Sequence, residues 1–161
     1  MADYRKLGVM VLVLACGIIV GFGIFTVLSP GSPLQPTKQI VLTDAAPKPI
    51  GPYSQAVESG EFIFISGQIG LDPRTGNLSP TVGEQTTQIM ENLNAVLSAE
   101  GLSYSDVIQA RIYLTNLSDW DTVNGIYGKH FTGQYPARVT IGVSSLPKGA
   151  KIEIEMIAAK H

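Results

Sequence analysis

Cysteine is nearly absent from this 161-residue chain: Cys16 stands alone, which excludes an intrachain disulfide. Histidine is almost as scarce. With only His130 and His161 beside that cysteine, little remains with which to build a metal site, and no metal or other cofactor is expected. No motif sets a Ser or Cys nucleophile beside His130, so a catalytic triad has no support. An excess of positive charge is missing too. Eleven Lys/Arg against thirteen Asp/Glu give a net charge of −2, which offers no electrostatic case for a nucleic-acid partner. Charge of either sign vanishes between Lys6 and Lys38.

What fills that gap is apolar. Leu7 to Leu28 is a run of 22 residues, and about 20 suffice to cross the hydrocarbon core as a helix. The run is longer than the roughly 7–15-residue core of a cleavable signal, and no Ala-x-Ala closes it. A permanent single transmembrane anchor is therefore expected. Arg5 and Lys6 precede it, and the next positive charge is Lys38, so the positive-inside rule places residues 1–6 in the cytoplasm. The remainder is then expected outside, in the periplasm if the cell has one. Val13-Leu14-Ala15-Cys16 resembles a lipid-attachment site only faintly, because the apolar run continues beyond Cys16. Gly17 and Gly21 form a small-xxx-small pair of the kind that packs helices, though glycine is common in membrane helices anyway. Residues 29–37, rich in Pro, Ser and Gly, read as a linker.

Residues 38–161 form the one expected globular domain, large enough for a real core. Gln39 to Leu42 reads as a first strand, followed by a proline-rich loop, Ala45 to Pro52, that delivers Tyr53-Ser54-Gln55. Ala56 to Glu58 and Phe62 to Gln68 read as a hairpin turning at Ser59-Gly60. Thr81 with Glu84 is a capping box opening a helix, with Ile89, Leu93, Val96 and Leu97 as its apolar stripe and Gly101 as its stop. Ile108, Ala110, Ile112 and Leu114 alternate as a strand. Ser118 or Asp119 is expected to cap a second helix that buries Trp120, Val123 and Tyr127. Two further strands, joined by a turn from Ser144 to Gly149 and expected to lie side by side, close the chain. The pattern is α+β, a sheet with helices on one face. Its uncovered face is expected to carry Val107, Tyr113 and Ile157 beside charges, a surface that favours association.

The closing strands carry the chemistry. Val139, Ile141 and Val143 alternate with Arg138, Thr140 and Gly142, and Ile152, Ile154 and Met156 alternate with Glu153 and Glu155. A guanidinium fixed on a strand suits bidentate recognition of a carboxylate, and a nearby glutamate suits positioning of water or a proton. The same residues also suit a cross-strand ion pair on a solvated face.

Several motifs decide how these residues are read. Ile50-Gly51-Pro52-Tyr53-Ser54-Gln55-Ala56, Ser66-Gly67-Gln68, Asp72-Pro73 with Thr75-Gly76, Pro136-Ala137-Arg138, Leu146-Pro147 and Ile152-Glu153-Ile154-Glu155 follow one another in an order that resembles the reactive-intermediate deaminase family, also called RidA/YjgF. The resemblance covers about residues 38–161. It implies a chorismate-mutase-like mixed sheet, a homotrimer with clefts between subunits, and hydrolysis of 2-imino or enamino acids to 2-oxo acids and ammonia. By resemblance, Arg138 grips the substrate carboxylate and Glu153 orients or activates water. Tyr53 and Ser66 line the cleft, Asn124 adds a polar contact, and the backbone near Thr140 helps hold the ligand. Many relatives carry cysteine at the position of Thr140, so no thiol is required here. The loop from Gly128 to Tyr135 is shorter than in bacterial relatives. Plainer roles stay open: Tyr53 in loop packing, Ser66 bonding strand backbone, Asn124 bracing its helix, Glu155 as a structural charge. Two other functions also stay open, a carboxylate-binding module without turnover and an endoribonuclease. The domain's nine Lys/Arg against twelve Asp/Glu give the second little support.

Overall fold

The computed structural model describes residues 37–161. The expected anchor at residues 7–28 and the linker up to residue 36 lie outside the described residues. Among the described residues, no helix is long and apolar enough to cross a membrane.

The alternating apolar patterns of the sequence become one six-stranded mixed sheet. In chain order the strands are β1 (Lys38–Val41), β2 (Ala56–Ser59), β3 (Phe62–Ile69), β4 (Val107–Leu114), β5 (Ala137–Gly142) and β6 (Ile152–Ala159). Their order across the sheet is β1-β2-β3-β6-β4-β5. Every pairing is antiparallel except β4 with β5, which run parallel and so require a crossover. Helix α2 (Trp120–Tyr127) supplies it, and α1 (Val82–Ala99) connects β3 to β4.

Both helices lie on one face. Ile89, Met90, Leu93, Val96 and Leu97 of α1 are fully buried against Ile63, Ile65, Ile112, Ile154 and Met156 of the sheet, with Val123 and Tyr127 of α2 in the same core. The capping box that opens α1 forms as expected: Thr81 Oγ1 accepts from Glu84 N (3.2 Å) and Glu84 Oε2 accepts from Thr81 N (3.0 Å). Gly101 follows the helix at φ +70°, a conformation that excludes most side chains. Buried amides fasten loops to this frame. Gln85 donates to Ser79 O (2.8 Å) and accepts from Lys151 N (2.8 Å), while Asn92 donates to Leu71 O (3.0 Å).

Four expectations need correction. First, β4 carries a bulge between Val107 and Gln109, so two of its residues oppose one of β6. The extra residue inverts the phase ahead of it: Val107 is buried and Ile108 is exposed, the reverse of simple alternation. Second, Trp120 is exposed rather than buried, because α2 packs chiefly along α1 and its first turn stands clear of the stripe formed by Val123 and Tyr127. Third, Asp119 stands at the N-cap position of α2, but its side chain makes no capping bond. A short 3-10 turn, Leu117–Asp119, precedes the helix, and Asn116 caps that turn by accepting from Ser118 N (3.1 Å). Fourth, β5 and β6 are consecutive in the chain but not neighbours in the sheet, since β4 lies between them.

The uncovered face is apolar along a continuous row. Ile40 opposes Val57, Val57 opposes Phe64, and Phe64 opposes Ile157. Tyr113, Val139 and Ile141 extend the surface on the far strands. Among them sits the ion pair of the face, Arg111 Nη1 to Glu155 Oε1 at 2.6 Å.

Candidate functional site

The register decides which face each candidate residue serves. Arg138 opposes Ala110 in the β4–β5 ladder, and Ala110 is fully buried beneath the helices. Arg138, Thr140 and Gly142 therefore leave β5 on the helix side. Glu153 opposes Tyr113, three residues further along β4 and on the other face. The expected neighbours are thus on opposite faces of the sheet, and one chain does not bring them together. Alternation gave the period of β5 but not its phase. As an edge strand it is exposed on both faces, so its valine and isoleucine do not mark the core side.

On the open face, Glu153 shares a groove of about 300 Å³ with Ile50, Tyr53, Ser66, Gly67, Ile69, Pro147 and Glu155. A second bulge builds it. Ile65 opposes Met156 and Gln68 opposes Ile154, so Ser66 and Gly67 together face one residue of β6. The Glu153 carboxylate lies over Gly67, where a Cβ would come within 1.9 Å of Oε1. Glu153 is half-buried, and burial first, then the neighbouring Glu155 charge, pushes its carboxyl pKa above the ordinary 4.5.

Ser66 donates its hydroxyl to Ser54 O (2.7 Å), and its N–H bonds Gln55 O (3.0 Å). It fastens the Tyr53 loop to β3 while its oxygen keeps lone pairs free. Tyr53 is exposed at the rim, its hydroxyl accepting from Ile50 N (3.1 Å). Behind it, fully buried Gln55 donates to the carbonyls of Thr43, Ala46 and Pro47 and accepts from Thr43 N (2.7 Å), which holds the proline-rich loop closed.

On the helix side, Arg138 lines a second groove of about 440 Å³ with Asn124, Tyr127, Gly128, Tyr135 and Pro136. Both grooves fall within the lower part of the range of small-molecule sites, about 300–1,000 Å³. The Arg138 guanidinium carbon sits 5.0 Å from the centre of the Tyr127 ring. No carboxylate pairs with Arg138 among the described residues. Asn124 of α2 is half-buried in the lining of the Arg138 groove, and Thr140 follows Arg138 on the same face of β5 but outside the lining of either groove.

Three groups matter that the sequence did not single out for the site: Gly67 under the glutamate, Gln55 behind Tyr53, and Tyr127 under the arginine. A glycine inside a strand signals a bulge or a close approach, and that signal was present at Gly67. Among the described residues no cluster of His, Cys, Asp and Glu suits a metal ion. His130 packs on Tyr104, and burial holds its pKa below the usual 6.5, while His161 reaches Asp106 at 3.6 Å, so the two histidines form no pair.

Comparison with known proteins gives a consistent result. Residues 43–160 match the family model described as Endoribonuclease L-PSP. A RutC family protein of Pyrococcus horikoshii is 48% identical over 125 residues, covering 77% of this chain and 99% of the relative. The 2-iminobutanoate/2-iminopropanoate deaminase of Mus musculus is 43% identical over 124 residues, covering 76% and 92%. Among solved structures, E. coli TdcF with bound serine superposes with a TM-score of 0.73 at 39% identity, covering 76% of this chain and 99% of that one.

Proposed function

Since the chain belongs to the RidA/YjgF family, we propose that its domain is a hydrolase that deaminates reactive 2-imino acids and their enamine tautomers to 2-oxo acids and ammonia. One observation carries the reading. The domain presents a guanidinium with no carboxylate partner among the described residues on one face and a half-buried glutamate on the other, each in its own groove. Neither groove alone holds both a carboxylate clamp and a proton carrier. A cleft between two copies, Arg138 from one and Glu153 with Tyr53 and Ser66 from the next, would hold both. The apolar row from Ile40 to Ile157 supplies a surface for such an assembly, and a homotrimer is the form proposed.

The chemistry asks little more. An imine carbon is already electrophilic. Arg138 fixes the substrate carboxylate and so orients the C=N bond. Water adds through oxygen to the imine carbon while Glu153 takes its proton. That proton passes to nitrogen and leaves a carbinolamine; the proton of the new hydroxyl then follows by the same route as the C–N bond breaks, so ammonia leaves and the carbonyl of the 2-oxo acid remains. Asn124 and the backbone near Thr140 are assigned secondary contacts. That the E. coli relative was solved with serine, a small amino acid bearing a carboxylate, agrees with the substrate class.

The test is the rate of deamination of 2-iminopropanoate by the purified protein. Arg138→Ala is expected to lower kcat/KM by about 100-fold, the scale of lost charge-assisted hydrogen bonds. Glu155→Gln, which removes the ion pair with Arg111 and one charge beside Glu153, is expected to keep most of the rate at neutral pH. Equal losses in the two would remove the assignment. Binding of 2-oxobutyrate without any acceleration of imine hydrolysis would favour the non-catalytic module instead. RNA cleavage that co-purifies through gel filtration and disappears in Arg138→Ala would favour the endoribonuclease. The anchor at residues 7–28, with the domain outside the cytoplasm, is proposed on the sequence alone. A C-terminal reporter fusion tests that topology.

A further inference from the structure

We propose that Tyr127 is the positioning residue for Arg138, holding the guanidinium through its ring face so that every in-plane N–H donor stays free for the substrate carboxylate. The inference rests on the reading of Arg138 as the carboxylate clamp and deepens it. Arg138 leaves an edge strand, is exposed, and has no acidic partner among the described residues. A free arginine there would spread over many rotamers, and ordering it on binding opposes affinity. An acidic neighbour would order it but would occupy the donors that the substrate needs. An aromatic face orders the group without using them, because the contact is made to the plane of the guanidinium and the hydrogen bonds leave from its edge.

The geometry has the parts this requires. The Tyr127 ring lies 5.0 Å from the Arg138 guanidinium carbon. Tyr127 is 2% exposed, so the platform itself is fixed. Its ring packs on Phe131 at 4.7 Å, Phe131 packs on Tyr104 at 5.3 Å, and the Tyr104 hydroxyl donates to Met90 O of α1. Arg138 thus rests on a column of rings anchored in the main helix. The buried Tyr127 hydroxyl has no hydrogen-bond partner among the described residues. The face of the ring, and not a hydrogen bond through its oxygen, is therefore what Tyr127 offers.

That distinction gives the experiment. Binding of 2-oxobutyrate is measured by calorimetry and 2-iminopropanoate turnover by steady-state kinetics, for wild type, Tyr127→Leu and Tyr127→Phe in the full chain. Tyr127→Leu removes the π face and is expected to weaken binding and raise KM about tenfold, with kcat changed about twofold or less. Tyr127→Phe is expected to restore what Tyr127→Leu loses. Equal damage from Phe and Leu, or none from Leu, overturns the inference. A ligand-free readout separates its failure from that of the clamp. In NMR spectra of wild type, the Arg138 side-chain protons are expected to shift upfield through the Tyr127 ring current, and arginine-like random-coil shifts there overturn the platform whatever binds. Upfield shifts in a wild type that binds no 2-oxobutyrate would uphold the platform and sink the clamp. This spectrum also decides the matter should Tyr127→Leu not fold.

Discussion

Gly67 tests the site at the scale of one residue. Its missing Cβ is the space in which the Glu153 carboxylate lies, and a methyl there would stand 1.9 Å from Oε1. The obstruction is the movable end of a side chain, and alanine is easier than glycine to order in a strand. Gly67→Ala should therefore keep its Tm within a few degrees while kcat/KM falls by about 100-fold, the scale of an ångström's misplacement. The same glutamate is expected to set a pH limb. Burial and the charge of Glu155 raise its pKa, so its basic form is lost as pH falls through a value above 4.5. Glu155→Gln removes one of those two causes and should move the acid limb of kcat/KM to lower pH. A limb that stays in place would show that Glu153 does not titrate in turnover.

At the scale of elements, strong local chemistry was readable and phase was not. The Thr81/Glu84 box and the stop at Gly101 were visible because a cap depends on residues within four positions of itself. Thr81→Ala should lower the stability of the fold by ~1 kcal/mol in urea unfolding without touching turnover, since α1 lines neither groove. The bulge at Ile108 inverted a clean alternation, because one inserted residue is invisible to a count of period two. The orientation of β5 was hidden for another reason. Its position at the sheet edge, beside β4 rather than β6, follows from a parallel crossover that no local pattern encodes. Of the candidate residues, Arg138, Asn124, Glu153, Tyr53 and Ser66 each line a groove, and Thr140 does not. Their division between two faces was not legible in the sequence.

At the scale of the molecule, that division becomes measurable. If the site joins two copies, Arg138→Ala and Glu153→Gln chains are each nearly inactive alone but complementary. Mixed in equal amounts under conditions that exchange subunits, they should recover about a quarter of wild-type activity, since each interface is productive only when the right two chains meet in the right order. No recovery despite proven exchange would place the whole reaction within one chain or remove it. In a closed ring, every copy lends its cation to one neighbour and its acid to the other. A single copy lacking both would silence two catalytic centres, not one, so poisoning of the assembly by defective chains would run steeper than their share of the population.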